Sequence, residues 1–225
     1  MTYIPKKHIQ RKTGIPLEFP LKCYQPADND IPPYSPEVLV GMDSGISNTA
    51  FSYIELIRDE ATNALIDFTY GGTYYFKREL DDFSCKLDRQ IYLAEKYYNL
   101  FSHKNVSNLT FEVLSLNSAK NEETLKGIID AQRTTTIIST LAYQLNHHFT
   151  PVPATAIKYC ITGSGTAMKY DMCMNAYAWT KDEDLLYNDH MSDAFSCCFY
   201  TFVQKLKESC IQYNMPIPKK FSYVG

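Results

Sequence analysis

Apolar residues recur along this chain in two rhythms, and the change from one to the other marks its elements. Residues 1–36 follow neither: prolines at 5, 16, 20, 26 and 32, then Pro33 and Pro36, break any periodicity and predict an irregular extension. Val38-Leu39-Val40-Gly41-Met42 is a short apolar run, read as a buried strand that stops at the turn-forming Asp43-Ser44-Gly45. Further strands are predicted over 50–57 and over 64–76, the latter rich in Thr, Tyr and Phe and interrupted by Gly71-Gly72. Three successive strands on short links predict an antiparallel meander.

The period then lengthens. Phe83, Leu87, Ile91, Ala94, Tyr98 and Phe101 recur at steps of three and four, which predicts one apolar stripe along a helix. A strand follows over 109–114, then a helical region over 122–146 in one or two pieces. That helix rests on the stripe Ile137, Ile138, Leu141, Ala142 and Leu145, against the poor helix propensity of Arg133-Thr134-Thr135-Thr136. Residues 154–161 read as another strand, and 166–179 and 189–213 as helices, the last with Phe195, Cys198, Phe202, Leu206 and Cys210 on one face. Strand hairpins followed by alternating helices and strands predict an α/β layer architecture with a mixed sheet. The expected body spans 37–213, with a tail over 214–225.

Composition narrows the function classes. An apolar share of 45% over 225 residues supports one large buried core. The net charge of −3 excludes a protein coated with basic residues, so any attraction to a polyanion must be local. Lys6, Lys7, His8, Arg11 and Lys12 near the start and Lys219 and Lys220 near the end form such clusters, although charge runs are also common in solvated tails. The seven cysteines form no C-x-x-C pair and are odd in number, which predicts reduced thiols in a cytosol-like compartment. No stretch approaches the length of a membrane span, and the opening lacks the apolar core of a secretory signal. A cytoplasmic protein is expected, in the host cytoplasm if the genome is viral. The acid-free first 17 residues leave organellar import as a lesser alternative, against which Pro5 and Pro16 count.

Three acids sit where an apolar element ends or turns polar: Asp43 closes the first strand, Glu112 interrupts Leu109-Thr110-Phe111-Glu112-Val113-Leu114, and Asp193 precedes Ala-Phe-Ser-Cys-Cys-Phe. An ionised carboxylate in an apolar setting is unfavourable unless paired or bound to a cation, so several converging suggest a metal site. Oxygen donors of this kind select Mg²⁺ or Mn²⁺ over zinc. Each acid also has a local reading: Asp43 as a turn residue, Glu112 on an exposed strand face, Asp193 complementing a helix dipole.

Four segments resemble, in order, those of the RuvC-type Holliday-junction resolvases, nucleases of the RNase H-like superfamily with phage and viral members. Val40 to Ala50, with Asp43-Ser44-Gly45, is similar to the family's opening strand and turn. Phe111-Glu112-Val113-Leu114, with Ala119-Lys120-Asn121 and Ala131-Gln132-Arg133 after it, is similar to the segment that bears the glutamate. Thr162-Gly163-Ser164-Gly165-Thr166-Ala167-Met168-Lys169 resembles a loop entering a helix with a DNA-facing lysine, and Asp189-His190-Met191-Ser192-Asp193-Ala194 resembles the closing helix with two ligands three residues apart. The resemblance spans about residues 37–205.

It implies an RNase H-like mixed five-stranded sheet flanked by helices, and a homodimeric endonuclease that resolves four-way DNA junctions by paired nicks. It assigns catalysis to Asp43, Glu112, His190 and Asp193, with Asp189 as an alternative ligand to His190 or as an N-cap. Two Mg²⁺ or Mn²⁺ ions, roughly 4 Å apart, would leave 5′-phosphate and 3′-hydroxyl ends. Lys120, Arg133 and Lys169 would face DNA, joined by Lys6, Lys7, Arg11 and Lys12 of the extension. Gly163 and Gly165 suggest an anion-binding nest.

The chain departs from the pattern in carrying His190 where many relatives have Asp, and in having no aromatic among Leu114, Ser115 and Leu116. Its Pro-rich extension has no counterpart in the typical member. Competing readings are a less selective branch or flap endonuclease, a junction binder that does not cleave, and an actin- or sugar-kinase-like ATPase. The last shares the D-x-G turn but needs the fold twice, and only one copy is present.

Overall fold

A computed structural model describes residues 35–45, 47–77, 82–116 and 119–224. Lys6, Lys7, Arg11 and Lys12 lie outside the described residues. Strands β1 (Val38–Ser44), β2 (Asn48–Arg58), β3 (Leu65–Lys77), β4 (Val106–Val113) and β5 (His148–Pro153) form one sheet in the order β3-β2-β1-β4-β5. β1, β2 and β3 pair antiparallel as the meander predicted, while β4 and β5 add in parallel on the other side of β1. This is the expected mixed sheet. It is flanked by α1 (Lys86–Phe101), α2 (Glu122–Gln144), α3 (Ala154–Thr162), α4 (Lys169–Thr180), α5 (Glu183–Tyr187) and α6 (Asp189–Gln212).

Strand alternation divides the core in two. Val38, Val40 and Met42 of β1 and Leu109 and Phe111 of β4 face α1 and α2, packing on Leu93, Tyr97, Phe101, Ile138 and Leu141. Leu39, Ala50, Ile54 and Val152 face the other way, against Ile157, Met172, Ala194, Phe195, Phe199 and Phe202. Asp43 and Glu112 stand one position out of step with the first set, so both project to the α6 side. The tail is not loose in its last turn: Phe221, in a 3-10 helix over Lys219–Val224, is fully buried and stacks on Trp179 at 5.2 Å.

Two sequence expectations are overturned. The strand expected over 154–161 is helix α3, and the fifth strand is the preceding His148–Pro153. Pro151 and Pro153 hid it, because proline lacks a ladder donor; an edge strand tolerates that loss, and β5 is the edge. The stripe on α1 also shifts. Leu87 is 41% exposed, and Tyr97 rather than Tyr98 is fully buried, its hydroxyl 2.9 Å from His147 Nδ1.

α2 is one unbroken helix in spite of its threonines. The hydroxyls of Thr134, Thr135, Thr136, Ser139 and Thr140 each bond the carbonyl four residues back, which gives these β-branched and polar side chains an internal partner.

Candidate functional site

Asp43 is set by the contact between β1 and α6. A Cβ on Gly41 would lie 2.0 Å from Ala194 O and 2.6 Å from Cys198 N, so only glycine lets the helix backbone come this close to the strand. The turn after Asp43 is clamped by Arg89 of α1, fully buried, whose Nη2 donates to Ser47 O at 3.1 Å and to Phe76 O at 2.7 Å. Sequence reading passed over Arg89 because an arginine in an amphipathic helix ordinarily reads as solvent-facing.

α6 begins beneath that turn. Its N-cap is Asn188, whose Oδ1 accepts from His190 N at 3.1 Å and Met191 N at 3.3 Å. The cap role considered for Asp189 is therefore corrected: a side chain at the first helical position cannot accept from the amides that the preceding residue already satisfies. Asp189 instead pairs with Lys169, the first residue of α4. His190 Nδ1 lies 2.6 Å from Asp43 Oδ2. Asp193, one turn on, is half-buried below them.

The electrostatics tie these groups together. Burial pushes the Asp193 carboxyl up to about 7, helped by the negative charges of Asp43 and Glu112 and opposed by Lys169. Glu112 is also raised, first by burial and then by Asp43, with Lys158 and Lys169 acting the other way. His190 is raised chiefly by its hydrogen bond to Asp43, and Lys169 by its bond to Asp189. Asp43, Glu112, Asp189, His190, Asp193 and Lys169 thus form one interacting cluster drawn from β1, β4, α4 and α6.

A cavity of about 220 Å³ is lined by Glu112, Lys158, Lys169, Met172, Asp193 and Cys197, among others. Lys158 was missed in the sequence because 154–161 was read as a strand. Coiled as helix α3, the same segment brings Lys158 to the cavity wall that Glu112 also lines. A larger cavity of about 590 Å³ lies between α2 and the β4–β5 edge, walled mainly by rings and hydroxyls including Phe111, Tyr143 and Phe149. Its single carboxylate residue is Glu112, so the chemistry belongs to the smaller one.

The remaining predicted residues stand apart. Arg133 is largely exposed and 3.6 Å from Asp130; Lys120 is exposed just ahead of Asn121, the N-cap of α2. Gly163 is the left-handed C-cap of α3, with φ of 77° and its N–H bonded to Tyr159 O at 2.8 Å, so that donor is not available to an anion.

Among the described residues, no three His, Cys, Asp or Glu side chains stand ready-made around a metal position. Asp43 is turned to His190 and Asp189 to Lys169. The donor chemistry nevertheless fits a divalent cation: carboxylate oxygens with one imidazole, held close enough that burial and mutual repulsion keep two of them above their ordinary pKa.

No family model matches the chain, and no curated protein matches it in sequence. Solved structures do. Thermus thermophilus RuvC is 12% identical, with 76% of this chain and 96% of that chain covered and a TM-score of 0.55. The same protein in complex with Holliday junction substrate gives 12% identity, the same coverage and a TM-score of 0.60. The yeast mitochondrial Holliday junction resolvase Ydc2 is 16% identical over 82% of this chain and 89% of that chain, at a TM-score of 0.49, and the fold assignment does not rest on it. The chain has the RuvC-type resolvase fold.

Proposed function

We propose that the chain is a divalent-metal-dependent endonuclease that resolves four-way DNA junctions. The observation that carries this reading is the meeting of Asp43, Glu112 and Asp193 with His190 at one end of an RNase H-like sheet, with Lys158 and Lys169 on the rim. One of the two matched Thermus structures is a complex with Holliday junction substrate, which supports branched DNA as the ligand class. Mg²⁺ or Mn²⁺, held by Asp43, Glu112, Asp193 and His190 at up to two positions, would activate water and stabilise charge at the scissile phosphate.

The chain's own residues perform the rest. Lys169 and Lys158 supply the positive charge that brings a phosphate to the carboxylates; Lys169 leaves Asp189 for it, exchanging one anionic oxygen for another. Asp43 accepts from His190 and so orients the imidazole. Water adds to phosphorus and the bond to the 3′ oxygen breaks, which leaves a 5′-phosphate and a 3′-hydroxyl. Lys120 just ahead of α2 and Arg133 midway along it, both exposed, and the basic residues of the extension over 1–36, would contact flanking backbone. A twofold homodimer of the 37–213 unit suits the symmetric cut.

Incubation with end-labelled four-way, three-way, flap and linear DNA, with and without Mg²⁺, tests this. Paired Mg²⁺-dependent nicks confined to the four-way substrate are expected. Equal cutting of three-way and flap DNA would favour the less selective nuclease, and junction binding with no cutting under any metal would overturn the enzyme reading.

A further inference from the structure

The row of residues behind His190 extends beyond the acids. Asp43 is paired with Ala50 across β1 and β2, and Ala50 with Tyr75 across β2 and β3. Directly opposed residues share one side of a sheet, so all three face α6. Ala50 contributes only a methyl group and is fully buried, which leaves room for the Tyr75 ring on the α6 side. That ring lies nearly parallel to the His190 imidazole, with centroids 5.9 Å apart and planes at 12°. Its hydroxyl donates to Asn48 Oδ1 at 2.7 Å, which fixes the ring from the far end.

The imidazole is therefore constrained twice: Asp43 sets the direction of Nδ1 at 2.6 Å, and Tyr75 sets the plane. The His190 side chain is 30% exposed, so it has solvent to swing into once the ring is removed. We infer that Tyr75 is a positioning residue for His190, held in place by Asn48, and that it acts on the metal only through the imidazole. This rests on the reading of His190 as a ligand. Partners that orient a metal-binding histidine typically change metal affinity by about 10–100-fold.

The full chain carrying Tyr75→Leu, Tyr75→Phe or Asn48→Ala is titrated with Mn²⁺ and free Mn²⁺ followed by electron paramagnetic resonance, alongside melting temperature and junction affinity in Ca²⁺. Tyr75→Leu weakens Mn²⁺ binding about tenfold, and Tyr75→Phe and Asn48→Ala, which remove the same hydroxyl bond but keep a ring, each fall between wild type and Tyr75→Leu. Junction affinity and melting temperature stay near wild type. In a His190→Asp background Tyr75→Leu adds no further loss, because the two act as one unit. Wild-type affinity in Tyr75→Leu, or an equal loss with and without His190, overturns the inference; if Tyr75→Leu does not fold, Asn48→Ala decides on the same criteria. A metal-free crystal structure of Tyr75→Leu, or of Asn48→Ala in that event, separates this from the nuclease reading. Should wild type bind no Mn²⁺, the nuclease reading fails, and a His190 ring displaced from Asp43 in the variant still supports positioning, whereas a ring in place rejects it.

Discussion

Glu37 shows how a single side chain ties strands and helix together at the end of the sheet away from the acids. It lies just ahead of β1, and its carboxylate accepts from Arg58 of β2 at 2.7 Å and Lys205 of α6 at 2.8 Å. Burial alone would raise its pKa, but the bonds from Lys205, Arg58 and Ser107 outweigh it and hold the group at about 2. A carboxyl depressed on folding contributes stability above its unfolded pKa of 4.5, and that contribution is lost as pH falls through the window from about 4.5 to 2. The full shift corresponds to about 3 kcal/mol, and the partial exposure of both cations reduces this to roughly 2 kcal/mol. Glu37→Gln is expected to lower the melting temperature at pH 7 by about 4–8 °C and to flatten its fall between pH 5 and 3. Thermal melts of both chains across that range check it, and parallel curves would contradict it. The acids at the other end of β1 were legible in the sequence because each interrupts an apolar run. Lys158 was not, since its placement depends on whether 154–161 is coiled or extended, and Tyr75 was not, because a stack between β3 and α6 leaves no local spacing.

At the scale of elements, the packing of α6 on β1 decides whether the acids meet at all. Gly41 is the position where the two backbones touch, and a methyl group there collides with Ala194 O and Cys198 N, neither of which is a flexible side-chain end. Gly41→Ala should push α6 off the strand, with a loss of about 3 kcal/mol or more and a melting temperature lower by about 6–12 °C. Cleavage should fall further than stability accounts for, because Asp193 and His190 ride on the displaced helix while Asp43 and Glu112 stay with the sheet. Circular dichroism melts and single-turnover rates below the transition check this; wild-type rates in a destabilised chain would show that the site tolerates the shift. Strand β1 was readable as a short apolar run and β3 from its Thr, Tyr and Phe content, while α1, α2 and α6 were readable from an apolar stripe that packs on the sheet. β5 and α3 were exchanged because apolar content without period does not distinguish a short helix from a strand, and because edge position, which excuses two prolines, is a property of the sheet and not of the segment.

Taken as a whole, the molecule is net acidic at −3 and concentrates part of that charge in one cluster, yet its fold is similar to that of a protein solved in complex with Holliday junction substrate. The proposal reconciles the two by making the acids catalytic and the rim lysines the contacts to phosphate. On that account, chemistry and binding are separable functions of different residues. The most direct measurement compares wild type and Asp43→Asn on a labelled four-way junction, with the cleavage rate in Mg²⁺ and the affinity in Ca²⁺ determined on the same preparations. The account predicts that cleavage falls to background while affinity is unchanged or slightly higher, because a negative charge facing phosphate has been removed and the lysines remain. A folded Asp43→Asn chain that cuts at the wild-type rate, or that loses junction binding together with cleavage, would contradict it.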